Sequence, residues 1–186
     1  MGYNPEGGSK NFTFSTQDTH SDLYKYLKPI RNDYPRDGYF LRAESLYNVS
    51  SNIDELDKII CPSKPIIEAY GGVSLHEQSH GESFLAIMSV RFRGHGFYIL
   101  DEPEAALSPR RLMSLICVID DLVKKNSQFI IATHSPILMS YPKATIYQIG
   151  DMGIEIVQYK DTDHYQITRS FLNTPEKMLD ILLGEK

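Results

Sequence analysis

Two short apolar runs in this chain each end in residues that can do chemistry. Phe97-Tyr98-Ile99-Leu100 follows Gly96 and leads straight into Asp101, Glu102 and Pro103, and Phe129-Ile130-Ile131-Ala132 leads into Thr133, His134, Ser135 and Pro136. A continuous apolar run of this length, bounded by glycine and proline, reads as a buried strand of a parallel sheet. Both runs then deliver their polar residues to the C-terminal edge of the sheet, where open α/β sheets place their ligands. The stretch from Gly96 to Pro136 therefore fixes the class: an α/β domain with a mainly parallel sheet, an acidic pair at the end of one strand and a histidine at the end of another.

The rest of the chain is read around that stretch. Tyr39 to Ala43 has strand character, and Glu44 to Ile60 has apolar residues at helical spacing. Ser79 with Glu82 three residues later forms a capping box, so a helix is predicted from Ser79 through Phe84, Ile87, Met88 and Phe92. Ser108-Pro109 opens another helix with proline in the first turn, and Leu112, Leu115, Ile116, Ile119, Leu122 and Val123 give it one apolar face. A short helix to about Tyr141 follows Pro136. Thr145 to Ile149 and Ile154 to Tyr159, separated by Gly150-Asp151-Met152-Gly153, predict a hairpin added to the sheet edge. Helical patterns at 163–172 and 175–183 end the chain. The first twenty residues, rich in Gly, Ser, Thr and Asn, read as extended loop with a short strand at Phe12 and Phe14, and 21–30 as a short helix.

With 186 residues the chain is long enough for one domain with a sizeable core, and its net charge of -5 argues against a broad nucleic-acid-binding face while leaving room for a local basic patch such as Arg91 with Arg93. Its two cysteines, Cys61 and Cys117, make no disulfide framework, which fits a reducing compartment. No apolar run approaches the roughly 20 residues that span a bilayer. The first residues lack a signal-peptide pattern, and Glu6 stands where N-myristoylation needs Ser or Thr. The expectation is a cytoplasmic protein with no membrane association.

Asp101 and Glu102 together suit Mg-nucleotide hydrolysis. One carboxylate can hold a magnesium-bound water while its neighbour, pointing elsewhere, polarises the attacking water. His134 can donate a hydrogen bond to a terminal phosphate. Ser79-His80-Gly81-Glu82 at a helix N-terminus offers backbone amides to an anion. A competing motif is His76-Glu77-Gln78-Ser79-His80, a literal H-E-x-x-H, which on a helix would hold zinc between two imidazoles with Glu77 as base. Against it, a helix starting at Ser79 leaves His76 in the preceding loop, and His20, His95 and His164 form no ligand cluster in the sequence.

In order and spacing, these segments resemble the ATP-binding-cassette ATPases. SHGE at 79–82 is similar to the signature motif, with His80 where glycine is usual and Glu82 where glutamine is usual. FYILDEPEAALSP at 97–109 resembles the Walker B strand, the catalytic glutamate and the D-loop, which covers Ala106, Leu107, Ser108 and Pro109. IIATHSP resembles the switch-histidine strand. The form DEPEAALSP, with GYNPEGGSKNF and YFLRAESLYN, is closer to stand-alone bacterial AAA-family ATPases, relatives of the structural-maintenance-of-chromosomes and RecF-like proteins, than to transport subunits.

The resemblance implies a three-layer P-loop NTPase-like fold, with residues 1–186 as a single partial domain and 44–95 as its helical, signature-bearing region. It also implies a head-to-tail homodimer that binds ATP and Mg. Glu102 is then the hydrolytic base, Asp101 the magnesium-side acid and His134 the γ-phosphate sensor. Ser79, His80, Gly81, Glu82 and Ser108 become nucleotide contacts, and Glu44 lies near the Q-loop. One departure is large: the phosphate-gripping pattern G-x-x-x-x-G-K-[ST] is absent. Gly2 and Gly7 have its separation, but Gly8 stands where lysine is required, and Lys10 is followed by Asn11. The implied reading is a chain that begins after the Walker A region and does not hydrolyse ATP alone. The alternative is a non-catalytic module that engages a partner ATPase subunit, with a DNA or protein partner left open.

Overall fold

The computed structural model describes residues 7–8, 22–28, 30, 33–43, 46–58, 65, 67–68, 72, 80–151 and 153–184. These divide into two compact units, residues 1–133 and 134–186.

The first unit is built on a three-stranded parallel sheet of β1 (Asp37–Arg42), β2 (Gly96–Asp101) and β3 (Gln128–Ala132), in that spatial order. Its register aligns Tyr39 with Tyr98 and Phe129, and Leu41 with Leu100 and Ile131. Successive side chains of a strand point to opposite faces, so these two rows share one face. That face holds the core: Tyr39, Leu41, Tyr98 and Leu100 are buried. Phe92 stacks on Tyr98 with ring centroids 4.1 Å apart, and Tyr39 and Phe129 flank the pair at 5.5 Å from Phe92 and 5.2 Å from Tyr98. Gly96 is required beneath this cluster, because a Cβ there would collide with the Tyr98 ring.

The helices follow their sequence signals closely. Helix α1 spans Leu46–Asp57 and buries Ile53. Helix α2 spans His80–Ala86 and continues as a π-helical turn, Ile87–Arg91, which turns Arg91 toward β1. There Arg91 pairs with Asp37 at 2.8 Å and lies over the Tyr39 ring. Helix α3, Pro109–Lys124, is capped by Ser108, whose side chain accepts from the Arg111 amide, and it buries Leu112, Leu115, Ile119 and Leu122. This is the apolar face expected from the sequence.

The opposite sheet face differs from the expected two-sided burial. Phe40 and Ile99 are half-buried and Ile130 is 52% exposed. Apolar runs say that a strand lacks polar side chains, not that both its faces are covered, and among the described residues one face carries the core. The N-terminal segment is seen at Gly8, which forms an antiparallel bridge with Phe40. The Phe12/Phe14 strand and Glu44 lie outside the described residues, and the 21–30 helix is a short 3₁₀ turn, Asp22–Lys25.

The second unit begins with α4, Pro136–Met139, and contains a hairpin of β4 (Ile146–Gly150) and β5 (Gly153–Val157). The hairpin is a separate two-stranded sheet rather than an addition to the parallel one. Its turn places Gly153 at φ 116°, a region open to glycine. Helix α5, Asp163–Asn173, is capped by Thr162 and followed by α6, Pro175–Leu183.

Candidate functional site

The acidic pair sits where the sequence placed it, at the C-terminal end of the central strand. Asp101 is the last residue of β2 and lies opposite Arg42 in the β1 register. Both side chains project from the half-covered face, and Arg42 Nε meets Asp101 Oδ2 at 2.9 Å. The guanidinium fixes the carboxylate direction, while the Asp101 side chain keeps 34% of its surface accessible.

Glu102 leaves the strand in a left-handed conformation, φ 46° and ψ 53°. A non-glycine residue there carries a strain of about 1–3 kcal/mol, which persists only when surrounding contacts enforce it. Those contacts are present. The Glu102 amide donates to the Ala132 carbonyl at 3.0 Å, and Ala105 N donates back to the Glu102 carbonyl at 3.0 Å. The following 3₁₀ turn, Pro103–Ala105, is tied to the end of β3 by Thr133, whose hydroxyl donates to Glu104 Oε2 at 2.7 Å. Pro103 is buried under the turn. The result is an exposed glutamate on a backbone fastened at both ends, left-handed where Asp101 before it is the last residue of the strand.

The signature segment is partly described. Ser79, His76 and Glu77 lie outside the described residues, as does the side chain of His80, whose backbone begins α2. Gly81 is buried, and a Cβ added there would collide with Arg111 and come within 2.9 Å of the Ala106 carbonyl. Glu82 Oε1 accepts from Arg111 Nη2 at 3.0 Å. The start of α2 is therefore docked on the turn before α3, with Ser108 exposed at the α3 cap. No cluster of three metal-ligating side chains occurs among the described residues.

His134 opens the second unit, two residues after the strand end. Its Nδ1 lies 3.2 Å from Nε2 of His164, with the rings edge-on at 5.0 Å. A description that unites an AAA domain, a putative AbiEii toxin and a type IV toxin–antitoxin system names the protein family whose pattern matches residues 9–140.

The chain belongs to this family.

Its class is the AAA-type P-loop ATPase domain, a nucleotide-binding class with which the parallel sheet is compatible. No curated protein and no solved structure matches it. No helix among the described residues is long and apolar enough to cross a membrane.

Within this AAA domain the motifs led to Asp101, Glu102 and His134, but not to the side chains that hold them. Arg42, Glu104 and Thr133 lie inside the quoted segments but had no role assigned to them, and Arg111 and His164 lie outside those segments. Only Arg42 had a usable signal, as a charged residue near the end of a predicted strand. The others are recognisable only once the fold brings distant segments together.

Proposed function

We propose that this AAA domain works in ATP hydrolysis of the ATP-binding-cassette type, with Glu102 as the general base. The observation that carries the reading is the left-handed, doubly fastened Glu102 beside Asp101 at the end of β2. Strained non-glycine backbone at a strand end has a purpose when it re-aims a side chain. Here it takes Glu102 out of the strand's alternation, so that the two consecutive carboxylates can take different roles.

The donor set suits magnesium: Asp101 offers hard carboxylate oxygen at an accessible strand end. Magnesium bound there would neutralise charge on the nucleotide phosphates. Arg42 orients Asp101 for that contact, and Glu102, exposed and held by its backbone, is the group that accepts a proton from water. His134 is assigned as the donor to the γ-phosphate. Ser79, His80, Gly81, Glu82 and Ser108 are assigned to the nucleotide of a second subunit in a head-to-tail homodimer. The docking of α2 on Ala106 and Arg111 supports this last assignment, since it makes the signature segment and the turn after Glu102 one rigid surface.

The test is Glu102→Gln in the protein's natural full-length context, with ATP turnover and Mg-ATP binding measured separately. Loss of turnover with binding retained supports the assignment. Unchanged turnover removes Glu102 as the base.

A further inference from the structure

His164 belongs to no motif and stands thirty positions from His134, yet the fold of the second unit joins them. Thr162 caps α5 by accepting from Tyr165 N at 3.3 Å, which fixes the first turn in which Asp163 and His164 lie. Helix α5 packs against α4, the helix that follows His134. The two imidazole nitrogens face each other at 3.2 Å with the ring planes 62° apart.

A nitrogen pair at this distance shares one proton: one nitrogen donates and the other must be bare. Which nitrogen of a histidine carries its proton is set by the hydrogen bond that the other nitrogen makes. A phosphate oxygen at neutral pH accepts hydrogen bonds, so a neutral imidazole that contacts it must present N–H. With His134 Nδ1 turned to His164, the ring nitrogen assigned to the phosphate is Nε2. Nε2 carries hydrogen on a neutral ring only if Nδ1 is the acceptor in the pair. The reverse arrangement would turn a bare nitrogen lone pair toward the phosphate and repel it.

We propose that His164 is a positioning residue for His134: its Nε2–H donates to His134 Nδ1, fixing the ring plane and the tautomer that presents Nε2–H to the terminal phosphate. The inference rests on the sensor role assigned to His134 above. Gln148 supports the arrangement from the hairpin, through a long contact of 3.5 Å to Asp163 at the head of α5.

Nuclear magnetic resonance of the nitrogen-labelled chain tests the pairing without nucleotide. At about two pH units above the ordinary imidazole value of about 6.5, a coupling across the hydrogen bond is expected between the two rings, with the proton on His164 Nε2. A proton on His134 Nδ1, or no coupling, overturns the proposal. ATP turnover in the natural full-length context tests its consequence. His164→Ala is expected to lower kcat roughly tenfold with little change in KM, a part of the 10²–10⁴ that such proton-bearing groups contribute. His164→Gln, which keeps a side-chain N–H donor, is expected to restore most of the loss. If both variants match the unaltered protein while His134→Ala is impaired, positioning by His164 is overturned and the ATPase reading stands. If His134→Ala itself has no effect, the sensor role falls, and with it the consequence drawn here, whatever the coupling shows.

Discussion

The two sheets of this protein treat their apolar side chains in opposite ways. In the parallel sheet Tyr39, Leu41, Tyr98 and Leu100 are buried on one face, where Phe92 stacks on Tyr98 and Arg91 lies over Tyr39. In the hairpin, Tyr147 pairs with Ile156 and Ile149 with Ile154 on one face, and all four are 61–80% exposed. A two-stranded hairpin alone is marginal in water, whereas a packed sheet can bear strain. The strained residue, Glu102, is indeed carried by the packed sheet. The lesson is that the parallel sheet serves as the rigid platform on which an unfavourable backbone conformation can be held.

Substitutions can break this contrast, and the largest effect is expected at its centre. Tyr98→Ala should destabilise the protein by about 3–5 kcal/mol, the range for emptying an aromatic core site. Tyr147→Ala should change stability by no more than about 0.5 kcal/mol, as for exposed positions. Urea denaturation of the two variants makes the comparison.

Gly81→Ala comes next. Its Cβ has no room between Arg111 and the Ala106 carbonyl, so a loss of about 1–3 kcal/mol is expected from overpacking. Thermal denaturation reads it directly. Glu102→Gly should move the other way, gaining on the order of 1 kcal/mol as the left-handed strain is relieved. A denaturant midpoint below that of the unaltered protein would contradict the claim that Glu102 is strained.

The smallest effect concerns pH. Burial pushes the Tyr98 phenol well above its ordinary range; the hydrogen bond from the Arg93 backbone opposes the rise and the neighbouring Asp37 adds to it. Tyr98 OH accepts from Arg93 N at 2.6 Å and lies 2.9 Å from Asp37 Oδ2. Because the folded state holds the phenol neutral, its contribution is full below the unfolded value of about 10 and declines as pH rises above it. Stability should therefore fall more steeply above pH about 10 in the unaltered protein than in Tyr98→Phe. Denaturation across alkaline pH checks the difference.

Much of the platform was legible in the sequence, because its signals are local. The runs ending at Leu100 and Ala132 announced parallel strands, and Ser108-Pro109 announced α3 together with its cap. The contacts that shape the site were not legible, because they depend on register and on the meeting of distant segments. Arg42 reaches Asp101 only when β1 and β2 align, and Thr133 reaches Glu104 only when β3 lies beside β2. Glutamate carries no preference that would announce the left-handed turn at 102. The hairpin was legible as a hairpin, since Gly150 and Gly153 bracket its turn. Its place was not, because alternating apolar residues do not say which sheet a strand joins.

The central claim is that the parallel sheet holds Glu102 as the base of an ATPase. Its most direct test is the single-turnover rate of ATP hydrolysis by Glu102→Gln in the natural full-length context. A fall of about 10²–10⁴-fold with Mg-ATP affinity preserved is the expected result. A rate equal to that of the unaltered protein would contradict the account.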